Sequence, residues 1–227
     1  MNVPERPLQL ARPRVAAWRW AANGATLCIA GLGLLAVGWR GSSVVAAGLI
    51  VLAALVDGAD GALARRAGGP TRAGAALDIV GDFTAFGVAP AALSLTRAPA
   101  HPWPLVMALG LFLAAALARL IRSASLVLSK PAGLYVGLPM PTAGCLVAGL
   151  ALSLPAAWVA AAVLVTSALA ISRRPYPSVP WLWQRRRASL FIFLALTAAV
   201  AVWSPHAGLL FGAVACAGYP WVQPITV

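Results

Sequence analysis

The stretch Asp57–Asp82, DGADGALARRAGGPTRAGAALDIVGD, decides how the rest of the chain must be arranged. It holds four of the five acidic residues of the protein, at positions 57, 60, 78 and 82, in sequence that is otherwise small and apolar. Two of these carboxylates come before a short link rich in Gly and Arg, and two follow it. Charged groups in apolar surroundings are costly and are functional by default, so the stretch indicates a site.

The composition around this stretch is that of a membrane protein. Of the 227 residues 61% are hydrophobic and 10% are charged, with a mean hydropathy of +0.87, which lies far outside the averages for soluble domains. Apolar runs of membrane-spanning length recur from end to end. The sequence therefore predicts an all-α, polytopic membrane helix bundle with about eight transmembrane helices and a short N-terminal interfacial segment.

Breaks in the apolar runs divide the chain into four parts. Residues 1–21 are predicted to form a cytosolic or interfacial segment, 22–171 a core of six helices, 172–189 a basic cytosolic loop, and 190–227 two additional transmembrane helices. The predicted spans cover about 22–39, 43–64, 73–95, 105–128, 142–154, 156–171, 190–203 and 208–222.

The net charge of +12 comes from short basic clusters between the apolar runs, where the positive-inside rule accounts for them. Nucleic acid is therefore not expected as a partner. With both termini inside, only Arg40 and Arg97 of the seventeen Lys and Arg residues lie outside. We expect a multi-pass protein of a bacterial inner membrane whose aspartates face the cytoplasm. Three cysteines, Cys28, Cys145 and Cys216, lie in apolar segments without metal-like spacing and are expected to pack there.

The spacing of the aspartates predicts a metal centre. Asp57 and Asp60 share one helix face, and Asp78 and Asp82 are one turn apart on the next helix. Two adjacent antiparallel helices can thus point four carboxylates at one another. Clustered hard oxygen ligands suit Mg²⁺ or Mn²⁺, and two ions can share bridging carboxylates. The alternative is a set of salt bridges, for example with Arg65 and the arginine after it.

Small residues accompany the acids at Gly61, Ala64 and Gly74. They leave room for a flat ligand beside the metals, although each taken singly is explained as well by close helix packing. Together with the metals and the surrounding arginines, they indicate a phosphorylated ligand at the cytosolic surface. A cation path is the competing class of function, but it would need acids across the bilayer, and the chain has no second acidic segment.

The pattern D-x-x-D-G-x-x-A-R-x8-G-x3-D-x3-D, from Asp57 to Asp82, resembles the signature of the CDP-alcohol phosphatidyltransferase family at eight fixed positions. The resemblance implies a lipid donor linked to cytidine diphosphate, a small alcohol acceptor, release of CMP, divalent metals on the aspartates, and a homodimer. It assigns Gly61, Ala64, Arg65 and Gly74 to the binding of the CDP group.

Within the family, the chain is most similar to the integral-membrane phosphatidylserine synthases. Phe86–Pro90 resembles their FGVAP stretch, residues 137–141 resemble their GLPxP loop, and residues 172–178 resemble their S-x-x-x-YPS segment. The chain departs from their E-L-D-S and R-x-x-R-F-N patterns at Ala76, Ile79, Ser123 and Ala124. L-serine is the expected acceptor, and glycerol phosphate, inositol phosphate, choline and ethanolamine are the alternatives.

The hypothesis for the chemistry gives each candidate residue a role. Asp57, Asp60, Asp78 and Asp82 hold the metals, and Asp82 also takes the proton of the acceptor hydroxyl. Arg119, Arg122 and Lys130 bind the phosphate or the acceptor. Positive-inside charge at a helix end explains these three basic residues equally well.

Overall fold

The computed structural model describes residues 12–66, 72–98, 102–125, 134–178, 197 and 204–222. These residues are mostly helical, with one six-residue π-helical segment and two short strands. The elements are α1 Arg12–Gly38, α2 Ser43–Arg66, α3 Arg72–Asp82, the π segment Phe83–Val88, α4 Ala89–Thr96, α5 Trp103–Ser125, β1 Leu134–Val136, α6 Met140–Ser153, α7 Ala156–Ile171, β2 Pro175–Pro177 and α8 Pro205–Val222.

Within the described ranges, three helical stretches are long and apolar enough to cross a membrane, namely Ala17–Gly38, Ala73–Thr96 and Trp103–Ser125. Shorter apolar helices cover Ser43–Gly58, Met140–Ser153 and Ala156–Ile171. The prediction of a helical membrane protein is confirmed, whereas the count of eight spans stays a prediction. The seventh predicted span, about 190–203, lies outside the described residues apart from residue 197.

Prolines mark where two of the helices begin. The helix α6 starts at Met140 with a proline directly after it, and Pro155 caps the N-terminus of α7. Within the described residues, α1 extends from Arg12, which is earlier than the start of the predicted span. The predicted interfacial segment 1–21 thus contributes its last ten residues to α1.

Two apolar clusters hold the helices together. The first joins α1, α2, the π segment and α4 to α5 and α6, and Ile29, Ile50 and Phe86 are fully buried in it. The second joins α5, α6, α7 and α8, and it includes Phe112 and Val163. Since Cys145 packs against both clusters, the packing role expected for this cysteine is present. All three cysteines are free thiols, and Cys28 is exposed.

The strands β1 and β2 form a small antiparallel sheet that the all-α prediction did not include. Tyr135 pairs with Tyr176, and Val136 pairs with Pro175. Both strands lie in loops that contain several prolines, where three-residue strands have no detectable alternation of polar and apolar residues. The pairing depends on contacts between distant parts of the chain, so the local sequence does not reveal it.

Gly137 connects this sheet to the end of α7. Its φ of +80° lies in the left-handed region that favours glycine, and a Cβ there would clash with the carbonyl oxygens of Ala170 and Ser172. The N–H of Gly137 donates to the carbonyl of Arg174 at 2.9 Å, and the next N–H, of Leu138, donates to the carbonyl of Leu169 at 3.1 Å. The position therefore requires a residue without a side chain.

We expect the substitution Gly137→Ala to destabilise the protein by about 1–3 kcal/mol or more, because it adds backbone strain and a steric clash. Thermal unfolding of the detergent-solubilised protein measures this as a lower Tm. Gly110→Ala in α5 is the control, since a Cβ there meets nothing within 4 Å. Equal Tm values for the Gly137 variant and the wild type would contradict the assignment.

Candidate metal centre

Three of the four predicted aspartates come together in the structure. Asp57 lies near the end of α2, Asp82 ends α3, and Asp78 lies one turn before it. One carboxylate oxygen from each lies within 4.8 Å of the others. The depth of the three side chains differs, since Asp82 is buried, Asp57 is half-buried and Asp78 is exposed. The cluster is thus open on one side and closed on the other.

The local sequence explains the convergence. Asp78 and Asp82 are four residues apart, which places them on the same face of α3. The helix α1 packs against both α2 and α3, and Gly81 allows the close approach of α1 at the buried aspartate, since a Cβ at Gly81 would be 3.2 Å from the Thr26 carbonyl. Because α1 contacts both helices, the end of α2 and the end of α3 lie close enough for the three carboxylates to converge.

The electrostatics of the cluster require positive charge. The carboxyl group of Asp57 lies close enough to those of Asp78 and Asp82 for the three groups to interact electrostatically. Carboxylates this close repel one another unless a proton or a cation lies between them. Three converging hard oxygen ligands fit a divalent cation of the Mg²⁺ or Mn²⁺ type.

The other predicted residues of this region are placed only in part. Gly74 lies in the first turn of α3 and is half-buried. Asp60, Gly61, Ala64 and Arg65 lie on the last turns of α2, and their side chains are outside the part of the structure that is described. Lys130 falls between the described ranges that end at 125 and resume at 134.

Arg119 connects α5 to the aspartates. Its side chain is only 5% exposed, and its charge interacts with those of Asp82 and Asp57. The guanidinium carbon is 6.0 Å from the centre of the Tyr135 ring, within the range of a cation–π contact. The Nε atom is buried and makes no hydrogen bond within the described part of the chain. The site thus includes a buried, positively charged guanidinium group whose Nε–H is available to donate a hydrogen bond.

Arg122 lies one turn further along α5, but it has different partners. Its Nη1 donates to the carbonyl of Ile171 at 2.7 Å. Its Nη2 donates at 3.2 Å to each of three further carbonyls, those of Val136, Ala170 and Ser172. The side chain therefore joins α5 to the end of α7 and to β1. These contacts depend on the tertiary fold, which is why the sequence grouped Arg122 with Arg119.

The sequence did not predict a role for Tyr135, and the structure places it beside Arg119. Its partner across the sheet, Tyr176, is fully buried. Burial raises the pKa of the Tyr176 phenol, and the charge of nearby Arg174 partly opposes this shift, so the hydroxyl stays protonated at neutral pH. The one available signal was the resemblance of residues 172–178 to a family segment. It marked Tyr176, but it gave no reason to connect this segment with Tyr135.

Comparison with known proteins identifies a family whose sequence pattern covers this site. The family model described as CDP-alcohol phosphatidyltransferase matches residues 22–174. The matched region is more than half of the chain, and it contains the three clustered aspartates, Arg119 and Arg122. No curated protein sequence matches the chain significantly.

We expect Asp57→Asn, Asp78→Asn and Asp82→Asn each to weaken Mn²⁺ binding by at least about tenfold, because each removes a charged oxygen ligand. Titration of the purified protein with Mn²⁺, followed by electron paramagnetic resonance, measures the affinity. Glu5→Gln is the matched control, since Glu5 is the one acidic residue outside the stretch. Three folded variants that bind Mn²⁺ as the wild type does would exclude the metal centre.

Proposed function

The chain belongs to the CDP-alcohol phosphatidyltransferase family, and we propose that it transfers a phosphatidyl group from CDP-diacylglycerol to a small alcohol and releases CMP. The family is a group of phosphotransferases that build phospholipid head groups. The observation that carries the proposal is the convergence of Asp57, Asp78 and Asp82 beside the buried Arg119. Anionic diphosphate needs such an arrangement, in which carboxylates hold cations and an arginine supplies further positive charge.

The aspartates hold the donor through cations. In the proposal Asp57, Asp60, Asp78 and Asp82 bind two ions of Mg²⁺ or Mn²⁺, which when bound neutralise the diphosphate and stabilise CMP as the leaving group. Gly61, Ala64, Arg65 and Gly74 surround the CDP group in this arrangement. The fit rests on the donor set, since hard carboxylate oxygens from two helices converge within 4.8 Å.

The acceptor hydroxyl attacks the lipid-side phosphorus, and the bond from this phosphorus to the oxygen of CMP breaks. Asp82 accepts the proton that the hydroxyl loses. Its side chain is only 7% exposed, so water competes poorly with a bound alcohol at this carboxylate. The half-buried Asp57 and the exposed Asp78 lie on the open side of the cluster, where the diphosphate is proposed to enter.

L-serine is the acceptor that we propose. The two loops that resemble segments of phosphatidylserine synthases, residues 137–141 and 172–178, are far apart in the sequence but adjoin in the structure. The hydrogen bond from Gly137 to Arg174 and the β1–β2 pairing join them. Tyr135 of the same sheet lies over Arg119, whose guanidinium is suited to a carboxylate or a phosphate of the substrate.

The surroundings in the cell follow from the same proposal. The basic clusters favour an active site that faces the cytoplasm of a bacterial inner membrane. Family membership supports a homodimer in the lipid bilayer. The acceptor reaches such a site from the cytoplasm, and the donor reaches it from the membrane.

An acceptor panel tests the reaction. We expect purified protein with CDP-diacylglycerol and Mg²⁺ or Mn²⁺ to release CMP when L-serine is added. Glycerol phosphate, inositol phosphate, choline and ethanolamine, supplied one at a time, are expected to give little release. Addition of EDTA should abolish the activity, and an excess of Mg²⁺ should restore it. CMP release with another acceptor would correct the acceptor, and activity that persists in EDTA would exclude the metal mechanism.

The two arginines of α5 should respond differently to substitution. Arg119→Gln is expected to lower kcat/KM by about 10- to 100-fold with little change in Tm, because a charge-assisted hydrogen bond to an anion contributes about 1.5–3 kcal/mol. Arg122→Gln should lower Tm, because its four backbone contacts are lost.

The control for both substitutions is Arg40→Gln, which changes an exposed arginine in the turn between α1 and α2. A rise in KM for the alcohol alone would place Arg119 at the acceptor, and a rise for CDP-diacylglycerol alone would place it at the donor. If Arg119→Gln changed only Tm, Arg119 would have no role in substrate binding.

A further inference from the structure

The helix changes its winding directly after the buried aspartate. The π segment Phe83–Val88 follows Asp82 and precedes α4. A π turn contains more residues than an α turn, and each residue of an α-helix accounts for about 100° of rotation. The winding of this segment therefore sets the direction of the Asp82 side chain relative to the buried residues of α4.

The backbone of α1 touches the π segment on one side. A Cβ at Gly33 would lie 2.7 Å from the Cα of Ala85 and 2.8 Å from its nitrogen. Ala85 is fully buried. The neighbouring atoms belong to the backbone, so no side-chain rotation makes room for a methyl group. Glycine at this position allows α1 and the π segment to touch.

The backbone of α6 touches the π segment on another side. A Cβ at Gly144 would lie 2.8 Å from the Cα of Phe86 and 2.9 Å from its carbonyl oxygen. Phe86 is also fully buried, and Leu113 of α5 approaches the next residue, since a Cβ at Gly87 would be 3.4 Å from it. The π segment thus contacts α1, α5 and α6, and both α1 and α6 approach it through a glycine.

Asp82 lies between two close approaches of α1. Before it, a Cβ at Gly81 would be 3.2 Å from the side chain and the carbonyl of Thr26, and after it comes the contact between Gly33 and Ala85. Single π turns within helices are rare, and they occur often at functional sites. A π turn that directly follows Asp82 and contacts the backbone of neighbouring helices can hold the Asp82 carboxylate in a fixed direction.

We propose that Gly33 and Gly144 are positioning residues for the acidic cluster, because they hold the π segment in the winding that directs Asp82 toward Asp57. The inference rests on the metal-binding role proposed for the aspartates. Neither glycine belongs to the signature between Asp57 and Asp82. Substitution of either by alanine pushes the π segment away and turns or shifts the Asp82 carboxylate.

A graded series of glycine substitutions tests the proposal by Mn²⁺ titration in purified, folded protein. Gly31→Ala in α1 is the matched control, since a Cβ there meets nothing within 4 Å. We expect Gly33→Ala and Gly144→Ala to weaken Mn²⁺ binding at least tenfold and Gly31→Ala to leave it unchanged. Gly81→Ala, with its milder 3.2 Å contact, should lie between them. It also provides the test if the two stronger substitutions prevent folding.

A second measurement separates this inference from the metal hypothesis. In protein whose three native cysteines are replaced by alanine, the pair Asp57→Cys and Asp82→Cys should form a disulfide under a mild copper–phenanthroline oxidant. Adding Gly33→Ala or Gly144→Ala should slow this cross-linking at least severalfold, and adding Gly31→Ala should not. The readout depends on the alignment of the two positions and needs no bound ion.

The possible outcomes differ for the two hypotheses. Failure of wild-type protein to bind Mn²⁺ would refute the proposed metal centre, and the cross-linking rate would still decide the positioning role. Folded Gly33 and Gly144 variants with wild-type cross-linking and wild-type Mn²⁺ affinity would overturn the inference. The inference would also be overturned if the apparent fall in Mn²⁺ affinity were no larger than the loss of folded protein that the lower Tm implies.

Discussion

The arrangement of the site is governed by the electrostatic repulsion between carboxylates that lie close together in apolar surroundings. Asp57, Asp78 and Asp82 converge within 4.8 Å at the meeting of α2 and α3. Their mutual repulsion grows as the surrounding medium becomes less polar. Such a cluster is stable only with positive charge, which Arg119 supplies in part and which divalent cations would complete. The same need for positive charge makes the cluster suited to bind a diphosphate through metal ions.

A second constraint is the positioning of these groups by rigid backbone. Arg122 joins α5 to four carbonyls of the chain around β1 and the end of α7. Glycines at 33 and 144 let α1 and α6 touch the π segment that follows Asp82. Catalytic groups must be held closely to act, and main-chain contacts move less than long side chains do. The residues of the site are therefore held by helices, and the short sheet of β1 and β2 fixes the two loops beside them.

Much of the site was predictable because its signals are local. The four-residue spacing of Asp78 and Asp82 sets their common face, and an apolar chain with few acids makes each carboxylate conspicuous. Other features were not predictable. Arg119 and Arg122 are one turn apart on the same helix, yet their partners come from Tyr135 and from the end of α7. The two strands have only three residues each, which is too short for a periodic pattern.

By itself the sequence determined the helical membrane class, the aspartate stretch and the family signature, because hydropathy and fixed spacing along one helix depend only on neighbouring residues. Only the tertiary structure decided that Arg119 and not Arg122 lies near the described acids, how the two proline-rich loops pair, and that a π segment in contact with Gly33 and Gly144 follows Asp82. These features arise where distant segments touch. Packing and hydrogen bonding between segments, which no local pattern records, then select the partner of each side chain.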